Sequence, residues 1–347
     1  MASTLTAPST LDDRVSTRSL GARLLSRPEV GSLVGAVVIL VFFLIVAPPF
    51  RHVATTGTIL YQAALIGMMA VPVALLMIGG EFDLSAGVAV TTAGLTGGLF
   101  SYQLSTNVWI GVLVSLVVAV AVGAFNGWLL MRTGLPSFLV TLGTFFILQG
   151  LNLGVTRVLS GTVSSNSISD MDGFSSAHAV FASEFKIGGL TVKILIVWWI
   201  VFVAISTWVL LKTKIGNWIF AVGGDAAAAR AVGVPVKRVK IGLFVTVGFF
   251  AWFSGMHLLF NQAVVQSGEG VGKEFIYIIA AVVGGCLLTG GYGSVIGSAV
   301  GALIFGMTQL GVVYAGWNAD WFKAFLGVML LLATIVNLVV KKRADLR

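Results

Sequence analysis

The sequence predicts an all-α polytopic membrane protein with about ten transmembrane helices and both termini on the cytoplasmic side. Three observations carry this. Of 347 residues, 57% are hydrophobic and only 10% are charged, whereas soluble domains carry about 25% charged residues. Mean hydropathy is +1.01, and runs of roughly 18 or more apolar residues recur, each long enough to cross a bilayer. The 21 lysines and arginines fall unevenly about those runs. A soluble enzyme is excluded at this step. The single cysteine, Cys286, rules out a disulfide framework or a cysteine-based zinc cluster. His52, His178 and His257 are too scattered for a metal site.

In chain order, residues 1–28 are polar and Ser/Thr-rich, hold Arg14, Arg18, Arg23 and Arg27, and read as a disordered cytoplasmic tail. The apolar run behind them starts late and, at about 20 residues, exceeds the 7–15 of a signal-peptide core, so it reads as a retained first span. Spans fall near 30–50, 58–78, 84–101, 107–131, 136–155, 191–211, 241–260, 275–289, 294–315 and 322–340. They form one transmembrane domain over 29–340, and 341–347 form a second cytoplasmic tail. With the N-terminus inside, fifteen of the 21 cations lie on the cytoplasmic face and six outside, the positive-inside pattern. The net charge of +8 is therefore a topology signal; it is too dispersed for nucleic acid, which needs a compact basic face.

Between the second and third spans stands Gly79-Gly80-Glu81-Phe82-Asp83-Leu84-Ser85. At mid-membrane each acid would cost about 2.5–3.5 kcal/mol, so the stretch predicts an interfacial turn or broken helix, with Glu81, Asp83 and Ser85 as structural turn residues. A proton relay through Glu81 and Asp83 is the alternative. The third span, rich in Thr and Gly, reads as short, broken or buried behind its neighbours.

The 43 glycines are expected to pack helices closely, because lipid gives helices no hydrophobic reason to associate. Gly123 and Gly127 serve the fourth span, and Gly293, Gly297 and Gly301 form a four-spaced stripe in the ninth. In the fifth, Gly143, Gly150 and Gly154 share one face, and Thr141, Phe145, Gln149 and Asn152 project from the other. That polar face either hydrogen-bonds to neighbouring helices or lines a path for a polyhydroxylated solute. Asn126, Gln62 and Gln309 are weaker candidates of the same kind.

Residues 156–190 are the long outer segment, too short and polar for a domain of their own, and read as a lid or docking loop. The long inner segment is 212–240. There Asp225 is a natural N-cap, alanines follow, Gly233 suits the left-handed C′ position and Pro235 stands beyond it. Seven residues between caps make roughly 10 Å of helix, too short to span. This element either tidies a connection or presents a knob to a cytoplasmic partner. Two nucleotide look-alikes fail. Gly268–Glu274 lacks the first glycine and the Ser/Thr of a P-loop, and Gly291–Gly297 has no strand–turn–helix setting.

Four stretches together resemble the membrane subunits of bacterial ATP-binding-cassette importers for monosaccharides. They are Glu81–Gly87, with Ala86 where Val is usual; Asn126-Gly127 with Leu135–Thr144; Ala221–Lys240; and Ala280–Gly285 with Gly290–Gly297. In the third, Asp225 stands where Asn is common, and Ala226 and Ala227 stand where acidic residues are frequent. The resemblance covers about residues 30–340. It implies the importer permease fold in a bacterial inner membrane, with sugar import as function and no bond chemistry in this chain. It implies as partners a second permease copy, a cytoplasmic ATPase that holds ATP and Mg²⁺, and an extracytoplasmic sugar-binding protein. No cofactor falls to this chain. Residues 225–233 become the coupling helix, with Gly224, Asp225, Ala228, Ala229, Arg230, Gly233 and Val234 facing the ATPase. Asn126, Thr141, Phe145, Gln149 and Asn152 become the translocation path. Two alternatives remain: the same machinery importing a nucleoside, polyol or branched-chain amino acid, and an ion-coupled carrier.

Overall fold

The computed structural model describes residues 28–345, with side chains from 29 to 335. The expected tail at 1–28 thus lies almost wholly outside the described residues, while the chain from 341 continues the last helix to Asp345. Every expected span contains a helix. These are α1 (Pro28–Val46), α2 (Val53–Ile78), α3 (Ala86–Gln103), α4 (Val108–Thr133), α5 (Ser137–Ser160), α7 (Ile194–Lys212), α10 (Val236–Gln262), α11 (Lys273–Val283), α12 (Val295–Tyr314) and α13 (Trp321–Asp345). Among the described residues seven, namely α1, α2, α4, α5, α7, α10 and α12, are long and apolar enough to cross a membrane. The chain is a polytopic helical membrane protein.

The eighth span is corrected. Helix α11 stops at Val283, and residues 284–294 are irregular, because Gly285, Gly290, Gly291 and Gly293 all hold positive φ. Gly293 therefore precedes α12 rather than sitting on it; Ser294 is the N-cap, its hydroxyl accepting the Gly297 N–H at 3.2 Å. On the helix the stripe is Gly297 and Gly301, while Gly293, in the turn before it, packs closely against Cys286 and Ile78.

Three elements escape the hydropathy reading. Helix α6 (Phe174–Phe181), the hairpin β1 (Glu184–Ile187) with β2 (Leu190–Lys193), and helix α8 (Lys214–Gly224) are too short to register as spans. The 156–190 segment is more than a loop. Phe181 is buried, stacks on Phe260 at 5.7 Å between ring centres, and meets Phe253 edge-on. In the hairpin, Lys193 lies 2.5 Å from Glu184 and holds that exposed carboxyl below its usual range.

The core repeats one pattern twice in opposite senses. A long helix (α2, α10) leads through an irregular segment (79–85, 263–272) into a shorter helix (α3, α11) and then two more. Helix α2 packs on α11 and α12 of the second half, and α10 packs on α3 and α4 of the first. The two long helices are antiparallel. Gly79 meets Leu243 at one end, and Tyr61 meets His257 near the other. We call these ends the Asp225 end and the hairpin end.

Backbone approach sets these crossings. On α4, Gly123 and Gly127 face the backbone of Phe244 and Ile241 of α10, and Gly301 of α12 faces the carbonyl of Ala280 of α11. A Cβ at Gly123 would land on the Phe244 carbonyl. The α5 glycines behave oppositely: Gly143, Gly150 and Gly154 meet nothing within 4 Å in the chain. Gly123→Val is therefore expected to cost about 1–3 kcal/mol by forcing α4 and α10 apart, seen as a lower Tm of the purified protein. Gly150→Ala should be neutral or gain up to about 1 kcal/mol of helix propensity.

Candidate functional site

At the Asp225 end the chain turns from α8 into a one-and-a-half-turn helix, α9 (Ala226–Ala231). The Asp225 carboxylate accepts the N–H groups of Ala227 at 2.8 Å and Ala228 at 3.0 Å, satisfying donors that a helix start leaves bare. Gly233 takes φ +88°, and the Val234 N–H closes on the Ala229 carbonyl at 3.0 Å. Gly224, Asp225, Ala228, Arg230 and Gly233 are exposed, but Ala229 is buried and Val234 half-buried. Ala229 thus faces its own bundle, since it lies on the side of α9 that packs inward. Val232, absent from the residues that the sequence singles out, is 80% exposed. An aliphatic residue beside the C-cap glycine was the available signal.

What holds α9 in place is a meeting of three backbones. Gly223 abuts the Ile78 carbonyl; Gly290 abuts Gly80 and the Gly223 carbonyl; Gly291 abuts Gly224. The Gly291 N–H donates to the Ile78 carbonyl at 2.9 Å. One segment comes from each half of the repeat and one from the α8–α9 corner. The Lys240 ammonium in the first turns of α10 pairs with the Glu81 carboxylate, both largely buried.

From Glu81 to Ser85 the chain is irregular and turns into α3, and its N–H groups need partners wherever water is absent. Glu81 N–H donates to the Leu76 carbonyl, Phe82 N–H to Ser137 Oγ at 3.1 Å and Leu84 N–H to Thr141 Oγ1 at 3.0 Å. The Asp83 carboxylate accepts both the N–H and the hydroxyl of Ser85, at 2.8 and 2.6 Å. Asn126 on α4 donates to Ser85 Oγ at 3.0 Å and accepts from Thr144 at 2.6 Å. Asn152 accepts from Thr92 of α3 at 3.0 Å.

Five residues were expected on a solute path. Asn126, Thr141 and Asn152 are buried in these bonds between helices, the alternative that the sequence left open. Phe145 and Gln149 stay half-buried. The two look-alike motifs resolve as caps: the Glu274 carboxylate accepts the Gly272 N–H at 3.1 Å at the start of α11, and Ser294 caps α12.

Residues 55–334 match a family model described as branched-chain amino acid transport system / permease component. A probable ABC transporter permease protein of Escherichia coli (strain K12) is 31% identical over 91% of this chain and 91% of its own. The fructose import permease protein of Rhizobium meliloti is 28% identical over 92% of this chain and 88% of its own. The ribose import permease protein of Escherichia coli (strain K12) is 27% identical over 89% and 93%. No solved structure matches significantly.

The Glu81–Lys240 pair is testable by itself. A cycle of Glu81→Gln, Lys240→Met and the double variant is expected to show a coupling of about 1–3 kcal/mol. Thermal unfolding of the purified chain reads it, and additivity would mean the pair contributes nothing.

Proposed function

This chain belongs to the ABC transporter permease family described as branched-chain amino acid transport system / permease component, and from that premise we propose that it is the membrane subunit of an ATP-driven monosaccharide importer. It lies in a bacterial inner membrane and is a transport subunit. In this reading both termini and the Asp225 end face the cytoplasm, ten helices make the transmembrane domain, and two copies enclose the solute path. A separate ATPase carries ATP and Mg²⁺, and a binding protein delivers sugar from outside. The fructose and ribose permeases among its relatives favour a monosaccharide.

The observation that carries the coupling role is the seating of α9. A capped, exposed helix is joined through Gly223 and Gly224 to Ile78–Gly80 of one half and Gly290-Gly291 of the other. A partner that moves α9 displaces the ends of both halves together, with no flexible side chain between them. In the ion-coupled alternative Glu81 and Asp83 would have to exchange protons, yet Glu81 is paired with Lys240 and Asp83 accepts two bonds from Ser85.

Two outcomes follow. Val232→Glu changes an exposed residue, so the permease should keep its Tm while losing co-purification with the ATPase and ATP-driven uptake. Ala229→Glu would instead disturb the bundle, because Ala229 is 4% exposed. Unchanged uptake by Val232→Glu would remove α9 from the coupling path. For topology, in a Cys286→Ser background, a cysteine replacing exposed Ser167 should react with an impermeant thiol reagent added outside whole cells. One replacing exposed Ala227 should react only after lysis. The reverse pattern would invert the orientation.

A further inference from the structure

In the hairpin-end half of the bundle, a cavity of about 240 Å³ lies among α2, α10, α11, α12 and the first turn of α13. Its walls carry five hydrogen-bonding side chains: Gln62, Ser254, Lys273, Tyr277 and Gln309. Tyr277 is 4% exposed, and its hydroxyl has no hydrogen-bond partner among the described residues. The Ser254 hydroxyl is buried and equally unpartnered. Gln62 and Lys273 are half-buried, and Gln309 is exposed at the edge. His257 also lines the space, but both its ring nitrogens are engaged, Nε2 with the Tyr61 hydroxyl at 2.9 Å and Nδ1 with the Phe181 carbonyl at 2.7 Å. It is wall, not ligand.

Buried polar groups are normally paired, and in a membrane-embedded bundle an unpaired one is costly. The irregular segment at 81–85 follows that rule, pairing the N–H groups of Glu81, Phe82, Leu84 and Ser85. Several open polar groups around one space therefore mark it as built for something polar. The chemistry of the lining narrows the occupant. Two carboxamides and two hydroxyls both donate and accept, as a polyol requires. The one charged lining group, Lys273, opposes a cation, and the neighbouring Glu274 carboxylate is turned to the Gly272 N–H. The volume lies below the roughly 300 Å³ at which sites for drug-sized ligands begin, which selects a small solute. Leu65, Ile66 and Phe322 add apolar wall for the carbon face of such a ligand.

We propose that each copy of this chain holds, within its own bundle and apart from any path between copies, a binding site for one small neutral polyol, with Tyr277 at its centre. The polyol class rests on the import reading above; the site itself rests on the cavity. Full-length Cys286→Ser permease carrying Gln62→Cys is reconstituted in lipid nanodiscs and treated with a small methanethiosulfonate reagent. D-ribose, D-fructose and D-xylose serve as probes and glycine as control. At least one sugar is expected to slow modification about tenfold while glycine does not. Adding Tyr277→Phe, which removes one oxygen and keeps the ring, should raise the sugar concentration needed about tenfold, the effect of one lost hydrogen bond. Modification that no sugar slows would show a merely hydrated cavity, and no modification would show a closed one; either overturns the site. ATP-driven sugar uptake by the assembled transporter is measured in parallel. Lost protection with normal uptake removes the site and leaves the import reading standing.

Discussion

A backbone N–H or C=O left without a partner in an apolar medium costs several kcal/mol, yet this bundle breaks its helical ladder at 79–85, 263–272 and 284–294. Everything distinctive in the fold answers that constraint. The first break is answered by side chains of α5 (Ser137, Thr141) and by Asp83 within the break itself. The second is tied to the hairpin-end segment, where Ser165 N–H donates to the Val265 carbonyl and Ser267 N–H to the Val163 carbonyl. The third uses the end of α2, through Gly291 N–H to the Ile78 carbonyl. Irregular chain is tolerated where protein shelters it.

The third answer has a mechanical consequence. Here the chains approach more closely than that bond alone needs: a Cβ at Gly223 would meet the Ile78 carbonyl, one at Gly290 the backbone of Gly80 and Gly223, and one at Gly291 that of Gly224. The contact that solves a hydrogen-bonding problem is therefore also the stiffest available link between the α8–α9 corner and both halves. A side-chain contact there would have rotamers to absorb motion. This is why the proposed coupling role falls on the corner as a whole, with the six-residue α9 as its outward part.

Seven of the expected spans, those holding α1, α2, α4, α5, α7, α10 and α12, were legible in the sequence because an apolar run of about 18 residues fits a bilayer and little else. Helix α9 was legible because Asp225, the alanines and Gly233 each have a local conformational reason to be there. Where α11 stops was hidden: residues 284–289 are apolar enough to continue, and only the positive φ of Gly285 and its successors ends the helix. Helix α6 was hidden too, since its Phe174 and Phe181 are ordinary in composition and acquire meaning only against Phe260. Glycine periodicity was ambiguous for the same reason. Gly297 and Gly301 are packed while Gly143, Gly150 and Gly154 are open, and spacing within one helix cannot say whether another helix lies opposite.

Polar residues teach the same lesson with a sharper outcome. The sequence left Thr141 and Asn152, on one face of α5, between bonding to neighbouring helices and lining a solute path, with Asn126 a weaker candidate; in the fold Thr141 accepts from Leu84 N–H, Asn152 from Thr92, and Asn126 bonds Ser85 and Thr144. Gln62 and Gln309 had weaker cause, being single residues on separate spans, and they share a cavity with an unpaired tyrosine. A residue's ability to bond says nothing about whether a neighbour already occupies it. In a membrane bundle, where water does not reach every donor and acceptor, the side chains left unpaired are the informative ones.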